Sequence, residues 1–463
     1  MKTKIYSLIC AICIVLTLSL SLSSCNLRDS SGGGIEGAWI NEDGDLIIKY
    51  QDGTKQNVGT VVGKDGADGV NGVNGVDGVD GADGTDGTDG ADGQDGSHVI
   101  TTNGSSIPSA SAKGLRSAVS IVSNFTMTVQ NSGFWPGSGG SKKQEYASAG
   151  SGVIYKLDKV SGEAFIITNY HVVFDASSDA KDGISEDINV YLYGSETKEK
   201  AIEATYVGGS LYYDIAVLHI ENSDVIKNSD VCEVNVANSD EIVVGDTAIA
   251  IGNAQGYGIS ASFGVVSVDS EYITMTAADG KTEVSFRVVR VDTAVNSGNS
   301  GGGLYDKNGH LIGIVNAKIV DDGVENIGYA IPSNVAVSIA NNIIDYCYGK
   351  DNKKVQRALV GVTVTSKDSR AVYNSETGLI SIVETISIYE VSSGSLADGK
   401  LRAGDILVSA SFGDKRVEIT RQHHMIDMML DVRPGDVVEV IVLRDGEAVT
   451  VSMEIDENCL MAY

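Results

Sequence analysis

Positive charge and cysteine are scarce in this chain of 463 residues. Lysine and arginine number 34 against 62 aspartates and glutamates, which leaves a net charge of −28. So large a negative excess argues against binding to nucleic acid and against electrostatic docking on anionic lipid. Of the six cysteines, only Cys232, Cys347 and Cys459 lie beyond residue 25, and their spacing is not that of metal ligands. We therefore expect no metal site and at most one disulfide.

Long apolar runs are also lacking, except at the N-terminus. No later stretch approaches the ~20 apolar residues that a membrane span needs. The chain begins with a basic MKTK, continues with an apolar run over residues 5–22, and reaches LSSC at Cys25. This order is typical of a secretory signal. LSSC resembles the bacterial lipoprotein box, which implies a signal peptide over residues 1–24 and lipidation of Cys25. An uncleaved anchor, or a plain signal with an incidental cysteine, is the alternative.

Residues 25–62 predict a tether followed by a small β-meander. Serine and glycine dominate residues 26–35, and short apolar runs follow over residues 36–62. The pairs Asp43-Gly44 and Asp52-Gly53 separate these runs, and such pairs favour tight hairpin turns. A meander of this size is too small to be stable alone.

Residues 63–96 have glycine at every third position, twelve in all. That period is typical of a collagen triple helix, because only glycine fits the crowded axis. The segment contains no proline and carries nine aspartates against one lysine, so three such chains would repel one another. An extended acidic spacer is therefore an equal alternative, and binding of a hard cation such as Ca²⁺ is a third. The triple helix and the extended spacer would each act as a stalk.

After a polar linker over residues 97–113, short β-rich runs with Gly, Asn and Asp turns fill residues 114–346. Many short strands of this kind indicate a barrel or a sandwich, and the length suits a double β-barrel. Helical spacing over residues 334–346 closes the unit. A linker over residues 347–355 leads to a smaller β-rich module over residues 356–456 and a tail over residues 457–463. The predicted fold class is mostly β.

Three segments carry candidate catalytic residues. His171 lies in TNYHVV, Asp214 in YDIAVL and Ser300 in GNSGGGL. A serine hydroxyl needs a base within hydrogen-bond reach, and the base needs a partner that holds its tautomer. The order His, Asp, Ser is that of chymotrypsin-like barrels. GNSGG also fits the nucleophile elbow of α/β-hydrolases, but that reading needs a helix after the serine and the order Ser, Asp, His. We therefore predict a serine endopeptidase.

The glycines around Ser300 have a mechanical reason. The oxyanion that forms during acyl transfer must be met by backbone N–H groups, and residues without a Cβ let the loop turn those groups inward. We predict an oxyanion hole formed by Gly298, Asn299 and Ser300. Gly298 and Ser300 supply the donors in this prediction, and Asn299 shapes the turn.

From about residue 115 to the end, the sequence resembles the HtrA/DegP family of trypsin-fold serine proteases. The resemblance implies an endopeptidase of unfolded or damaged proteins that needs no cofactor and is usually a homotrimer. It also places Ala294, six residues before the nucleophile, near the floor of the primary specificity pocket. An uncharged residue there favours small or medium apolar side chains before the scissile bond. The resemblance rests on the blocks TNYHVV, YDIAVL, IGNAQGYGISASFGVVS, VDTAVNSGNSGGGL, IGIVNAK and GYAIPSN.

The C-terminal module resembles a PDZ domain, in the segments RALVGV and LRAGDIL and in the strand pair near its end. A PDZ domain adds a peptide as an extra strand and holds its C-terminal carboxylate with loop N–H groups. A structural lid or spacer is the alternative. The resemblance assigns peptide binding to Leu359, Val360, Gly361 and Val362.

These parts predict an extracytoplasmic, lipid-anchored protease of the bacterial cell surface or periplasmic face, engaged in protein quality control. Its expected partners are unfolded proteins and peptides, not nucleic acid. The alternative is a surface binding protein with weak or no catalysis, which presents a PDZ groove on a collagen-like stalk. A structural adhesin built on the glycine repeat is less favoured, because only residues 63–96 belong to that repeat.

Overall fold

The computed structural model describes residues 35–41, 45–50, 53–60, 106–131, 140–195, 197–317 and 326–462. The chain divides into two compact units, residues 1–97 and residues 98–463. The predicted signal peptide, the lipidation site Cys25 and the glycine repeat lie outside the described residues. Within the described residues, no helix is long and apolar enough to cross a bilayer.

The first unit contains a three-stranded antiparallel sheet in the order β1-β2-β3. This is the meander that the turn pairs predict. Gly53, in the second predicted turn, has a φ of +85°, a backbone conformation that glycine adopts without steric cost. The strands are β1 (Ile35–Ile40), β2 (Asp45–Tyr50) and β3 (Lys55–Thr60).

Two closed β-barrels form most of the second unit, in the strand orders β4-β5-β6-β9-β8-β7 and β10-β11-β12-β15-β14-β13. The mostly-β class and the double barrel predicted from the sequence are both confirmed. The strands are β4 (Ala118–Asn131), β5 (Gly140–Asp158), β6 (Glu163–Thr168), β7 (Asp187–Leu192), β8 (Ile202–Ser210), β9 (Ile215–Ile220), β10 (Thr247–Gly252), β11 (Ser260–Thr276), β12 (Glu283–Val291), β13 (Gly303–Tyr305), β14 (Leu311–Val315) and β15 (Gly328–Pro332).

The alternation of buried and exposed side chains along the strands shows which side chains form the barrel cores. In β7, Ile188, Val190 and Leu192 are buried while the residues between them are partly exposed, as expected when successive side chains point to opposite faces. Strand β9 is buried at every position, because one of its faces lies in the barrel core and the other packs with residues of the helix Ser333–Cys347. The helices are α1 (Ile107–Ser117), α2 (Tyr170–Val173), α3 (Asp224–Lys227) and α4 (Ser333–Cys347).

Helix α1 begins inside the segment predicted as a polar linker, seven residues before the expected barrel boundary at 114. Ser106 caps it by accepting a hydrogen bond from the backbone N–H of Ser109 at 3.3 Å, and Pro108 lies in the first turn, where its missing N–H is not needed. Gly114 packs so closely on the second barrel that a Cβ there would lie 2.5 Å from Ile251. The helix is therefore part of the barrel unit.

The C-terminal module is a sheet in the order β17-β18-β19-β21-β22, with β20 paired to β19 and with helix α5. Its last strand pairs with its first short strand, so residues 460–462, predicted as a tail, belong to the module. The elements are β16 (Gln356–Ala358), β17 (Val362–Asn374), β18 (Leu379–Val391), β19 (Ile406–Phe412), β20 (Lys415–Glu418), α5 (Gln422–Met428), β21 (Val437–Arg444), β22 (Glu447–Glu454) and β23 (Leu460–Ala462).

Ion pairs join this module to the second barrel. Arg421, just before α5, contacts Asp269 of β11 at 3.0 Å. The buried Arg287 of β12 contacts Asp427 of α5, also at 3.0 Å. Removing one partner of a buried pair leaves an uncompensated charge, so these contacts fix α5 against the barrel.

Candidate active site

His171 lies in the short helix α2, directly after β6. Val172 and Val173 are buried and anchor the helix in the first barrel, which leaves His171 half-buried at its surface. The preceding Asn169 donates a hydrogen bond from Nδ2 to the backbone oxygen of Asp214 at 2.9 Å. The helix is thus tied to the residue that would orient the imidazole.

Asp214 precedes β9 and is only 6% exposed. Its Oδ2 lies 2.6 Å from His171 Nδ1, and its Oδ1 accepts the backbone N–H of His171 at 2.9 Å. A carboxylate on Nδ1 holds the proton there and leaves Nε2 free to act as the base. The φ of Asp214 is +52°, an unusual backbone conformation that non-glycine residues retain where surrounding contacts enforce it.

Asn316 is a residue of this site that the sequence analysis did not single out. It is fully buried, follows β14, and donates from Nδ2 to Asp214 Oδ2 at 2.8 Å. This hydrogen bond and the two contacts to His171 fix the orientation of the carboxylate. The signal that could have found it is a lone amide at the end of the wholly apolar strand LIGIV.

Ser300 lies on the loop before β13 and is attached to both barrels. Its backbone oxygen accepts the N–H of Ser151 in β5 at 2.8 Å. Its Oγ accepts the N–H of Ala317 at 3.2 Å, and Ala317 follows Asn316, the residue that contacts Asp214. Asp214 and Ser300 therefore contact two consecutive residues, Asn316 and Ala317, and His171 contacts Asp214. Within the described residues, no hydrogen bond joins Ser300 Oγ to the His171 ring.

The peptide bond between Ser297 and Gly298 is fixed from outside the loop. The carbonyl oxygen of Ser297 accepts the N–H of Gln255 at 2.7 Å. No peptide bond among the described residues is cis, so the Gly298 N–H points away from the Gln255 side. The carbonyl oxygen of Gly298 is held by Ser151 Oγ, also at 2.7 Å. These contacts fix the direction of the Gly298 N–H.

Asn299 differs from its two neighbours in the predicted oxyanion hole. Its N–H donates to the backbone oxygen of Asn296 at 3.0 Å, so it shapes the turn. The N–H groups of Gly298 and Ser300 have no acceptor in the part of the chain that the structure describes. Two free donors on one loop can stabilise a developing oxyanion.

Ala294, the predicted specificity residue, is exposed on the loop after β12. Its backbone oxygen accepts the hydroxyl of Ser262 at 2.9 Å. It does not line the five best-formed cavities among the described residues, and residues 318–325, which follow Ala317, lie outside the described residues. The specificity assignment stays a prediction.

Tyr170, which precedes His171, packs its ring against Phe174 and Tyr206. Burial raises the pKa of this phenol to about 12, so it is neutral near pH 7. In the described ranges, no group of three or more His, Cys, Asp or Glu side chains could hold a metal ion. The chemistry that the arrangement offers is acyl transfer.

The loop predicted to bind a peptide carboxylate precedes β17. The N–H of Leu359 already donates to the backbone oxygen of Cys459 at 2.8 Å. The N–H groups of Val360 and Gly361 have no acceptor among the described residues. Gly361 has a φ of +81°, and Val362 starts the strand. A cavity of about 230 Å³ lies between this loop and α5.

Comparison with known proteins assigns the class first. Residues 150–314, which contain His171, Asp214 and Ser300, match the family model of the trypsin-like peptidase domain. The barrels are thus those of a serine endopeptidase.

Relatives along most of the chain define the family. Serine protease Do-like HtrA of Bacillus subtilis (strain 168) is 32% identical over 354 residues, which cover 74% of this chain and 71% of that protein. Periplasmic serine endoprotease DegP of Salmonella typhimurium is 29% identical over 341 residues, 71% of this chain and 62% of that protein. The chain belongs to the HtrA family of serine proteases. The solved structure of HtrA-type protease AlgW with tripeptide is 25% identical, with a TM-score of 0.45, and covers 76% of this chain and 97% of that one.

Proposed function

We propose that this endopeptidase cleaves unfolded or damaged proteins outside the cytoplasm, with Ser300 as nucleophile, His171 as base and Asp214 as the residue that orients the base. The observation that carries the proposal is the bonding of Asp214. Its carboxylate contacts the ring and the backbone of His171 and also binds Asn316, and the next residue after Asn316 binds Ser300.

The proposed reaction follows from these positions. Ser300 Oγ turns from the Ala317 N–H toward His171 and attacks the scissile carbonyl carbon, while its proton passes to His171 Nε2. The N–H groups of Gly298 and Ser300 stabilise the oxyanion. His171 then gives the proton to the leaving amine, and an acyl-enzyme ester forms. Water, deprotonated by His171, attacks this ester and releases the acid. No cofactor takes part.

A fluorophosphonate probe tests the proposal, because it labels only an activated serine. We expect labelling of the purified protein and none of Ser300→Ala, whose kcat for casein should be lower by up to ~10⁶ while its thermal unfolding is unchanged. Casein hydrolysis at the parent rate by Ser300→Ala would falsify the assignment of the nucleophile.

One observation favours the second candidate, a surface binding protein with weak catalysis. The Ser300 hydroxyl is hydrogen-bonded to Ala317 and not to His171. Catalytic hydrogen bonds are often loose without substrate, so the same contact also fits a resting enzyme. Pre-steady-state kinetics separate the two: a burst of acyl-enzyme indicates a competent site, and a folded protein that gives no labelling and no burst indicates the binding protein.

The uncharged Ala294 supports cleavage after small or medium apolar residues. We expect a peptide-library digest to show these side chains before the scissile bond. Cleavage confined to sites after Lys or Arg would contradict the assignment.

For the C-terminal module, we propose a PDZ-type site that binds peptide C-termini. The free N–H groups of Val360 and Gly361 suit a carboxylate, and the adjacent cavity is lined by Val362, Val364 and Met425, which suit an apolar terminal side chain. A labelled peptide with a free C-terminus should bind at least tenfold more tightly than its C-terminal amide. Equal affinities of the two peptides would contradict the proposal that this module binds a terminal carboxylate.

The location proposed for the protein is the outer face of a bacterial membrane, with Cys25 as the lipid anchor. The relative DegP is named as periplasmic, and the LSSC sequence supports lipidation. Cells that express the full chain should incorporate labelled fatty acid into it, and Cys25→Ala should abolish incorporation. Equal incorporation by both would exclude Cys25 as the anchor.

We also propose a homotrimer in which the glycine repeat acts as a stalk. A collagen helix needs three chains, and the HtrA resemblance implies three protease subunits. Sedimentation of a chain that begins after Cys25 tests the assembly, and a monomer would count against it. Circular dichroism of residues 63–96 distinguishes a triple helix from an extended spacer.

A further inference from the structure

Strands β17 and β18 extend well beyond the body of the C-terminal module. They pair from Val362 with Val391 to Asn374 with Leu379, with register shifts between Thr363 and Val364 and between Ser366 and Asp368. Residues 367–381 are exposed at every position, so this part, which we call the ribbon tip, is a two-stranded ribbon covered on neither face. A lone hairpin is marginally stable in water, so a partner that covers the tip would stabilise it.

The outer edge of β17 is unpaired. In the described part of the chain, β17 pairs with β18 alone and ends the order β17-β18-β19-β21-β22. A strand rises about 3.3 Å per residue, so this edge is about 40 Å long. Exposed edges present free N–H and C=O groups to another strand, and proteins blunt them with proline, charged side chains, bulges or very short strands. In β17 the charged residues are confined to residues 367–370, beside a register shift between Ser366 and Asp368, and residues 362–365 and 371–374 carry neither proline nor charge.

Apolar side chains are exposed at the ribbon tip. Tyr373 and Ile380 are partners across the two strands, and 64% and 60% of their surfaces are exposed. The next pair on the same face is Ala371 with Ile382. One face of the tip is therefore apolar and close to the unpaired edge.

This edge is continuous with the proposed peptide groove. Strand β17 starts directly after Gly361, and its first residues Val362 and Val364 line the cavity beside α5. A peptide whose carboxylate binds at Gly361 and which runs antiparallel to β17 would place earlier residues progressively nearer the tip. Residues 371–374 lie 9 to 12 positions beyond Val362.

We propose that the ribbon tip extends the peptide site, so that the module binds a long, extended C-terminal tail with apolar residues about 9 to 12 positions before its end. This inference rests on the proposed carboxylate site. We assign this site to a peptide tail because the same strand, β17, forms both the groove beside Gly361 and the edge of the ribbon tip. A second copy paired edge to edge is the competing occupant, and the test below separates the two.

Two labelled peptides with the same last six residues test the extension. The first is the hexapeptide alone, and the second is a 14-residue peptide with Val and Ile 9 to 12 positions from its end. The control replaces these Val and Ile residues with Ser. We expect the full chain to bind the long apolar peptide at least tenfold more tightly than the other two.

The matched variants act on the tip alone. One deletes residues 371–382 and joins Arg370 to Val383 through an Asn-Gly turn, which suits a two-residue hairpin. The other, Tyr373→Glu with Ile380→Lys, keeps the ribbon and removes its apolar face. Both should bind all three peptides with the affinity that the full chain has for the hexapeptide, and both should hydrolyse a short substrate at the parent rate.

Equal binding of the long and short peptides to the full chain would overturn the proposal that the ribbon tip extends the peptide site, and would leave the carboxylate site intact. Binding of neither peptide overturns both. A larger sedimentation coefficient for the full chain than for the two variants, with no advantage for the long peptide, assigns the edge to a second copy.

Discussion

Two glycine-containing loops of this protein face similar tasks. The loop around Gly298 would stabilise an oxyanion, and the loop around Gly361 would bind a carboxylate. Both glycines have positive φ, +94° and +81°, and both loops leave N–H groups without an acceptor among the described residues. The shared device is a backbone turned by glycine so that its donors point outward.

The loops differ in what holds them. A Cβ on Gly298 would lie 2.2 Å from the backbone oxygen of Asn253, whereas a Cβ on Gly361 would lie 2.1 Å from the side chain of Ser395. A serine hydroxyl approaches both glycine carbonyls, at 2.7 Å from Ser151 to Gly298 and at 3.5 Å from Ser395 to Gly361. A donor that acts on a transition state must be fixed before the reaction, while a donor that only binds a ligand can adjust.

Gly298→Ala should displace the loop around Gly298 and lower kcat more than any other substitution proposed below. The new Cβ meets backbone, so the loop must move and the Gly298 N–H should leave the oxyanion position. Loss of one such donor costs about 2.7–4 kcal/mol of transition-state stabilisation, and we expect kcat to fall 10²- to 10³-fold with little change in KM. Gly280→Ala is the control, since that glycine has a similar φ of +70° and open space around it. Similar kcat values for the two variants would show that the loop tolerates the shift.

Asn316→Leu tests the contact between Asn316 and Asp214, next to the loop that carries Ser300. The change removes the donor to Asp214 and should lower kcat about 10- to 100-fold, since a hydrogen bond to a charged group contributes about 1.5–3 kcal/mol. KM should stay the same if Asn316 positions Asp214 and does not touch substrate. An unchanged kcat in a folded variant would contradict a role for Asn316 in positioning Asp214.

Asn316→Asp provides a pH readout that a purely structural role would not give. The new carboxyl lies beside Asp214, and two close carboxyls retain a proton at higher pH than one alone. While it is protonated, the new carboxyl can still donate to Asp214. We therefore expect the kcat of this variant, relative to the parent, to fall as the pH rises. A pH-independent ratio would contradict this role.

Gly361→Ala should weaken peptide binding and leave hydrolysis of short substrates unchanged. The new Cβ would lie 2.1 Å from the Ser395 side chain, so the loop should shift and its N–H groups should leave the carboxylate position; at about 1.5–3 kcal/mol for a hydrogen bond to a charged group, we expect affinity for a free C-terminus to fall about tenfold. Gly399→Ala is the matched control in the same module, with a φ of +75° and open space around it. If both variants bind like the parent, Gly361 does not shape a carboxylate site.

The sequence singled out His171, Asp214 and Ser300 because each belongs to a side-chain pattern, and the structure places His171 beside Asp214; their catalytic roles stay a prediction. It did not predict the contacts that fix the oxyanion loop. Gln255 acts through its backbone N–H, which leaves no mark on residue identity, and Ser151 lies 147 residues from the carbonyl that it binds. Contacts of this kind follow only from the closure of the two barrels.

The boundaries were missed for other physical reasons. Helix α1 buries Ala110, Gly114 and Ser117, small residues that give little apolar signal, so the segment resembled a linker. Strand β23 has three residues, too few for a period to show. The ribbon tip is exposed on both faces and therefore lacks the alternation that marks a half-buried strand.

The smallest expected effect is the sharpest test of the difference between the loops. Ser151→Ala removes a hydroxyl that binds the Gly298 oxygen at 2.7 Å and accepts the Asn253 N–H at 2.8 Å. Ser395→Ala removes only the 3.5 Å contact to Gly361. At about 1 kcal/mol for a hydrogen bond, Ser151→Ala should lower kcat about fivefold, and Ser395→Ala should leave peptide affinity within about twofold of the parent. If Ser151→Ala is also silent in both kcat and burst amplitude, the catalytic loop is no more firmly held than its counterpart, and preorganisation does not distinguish them.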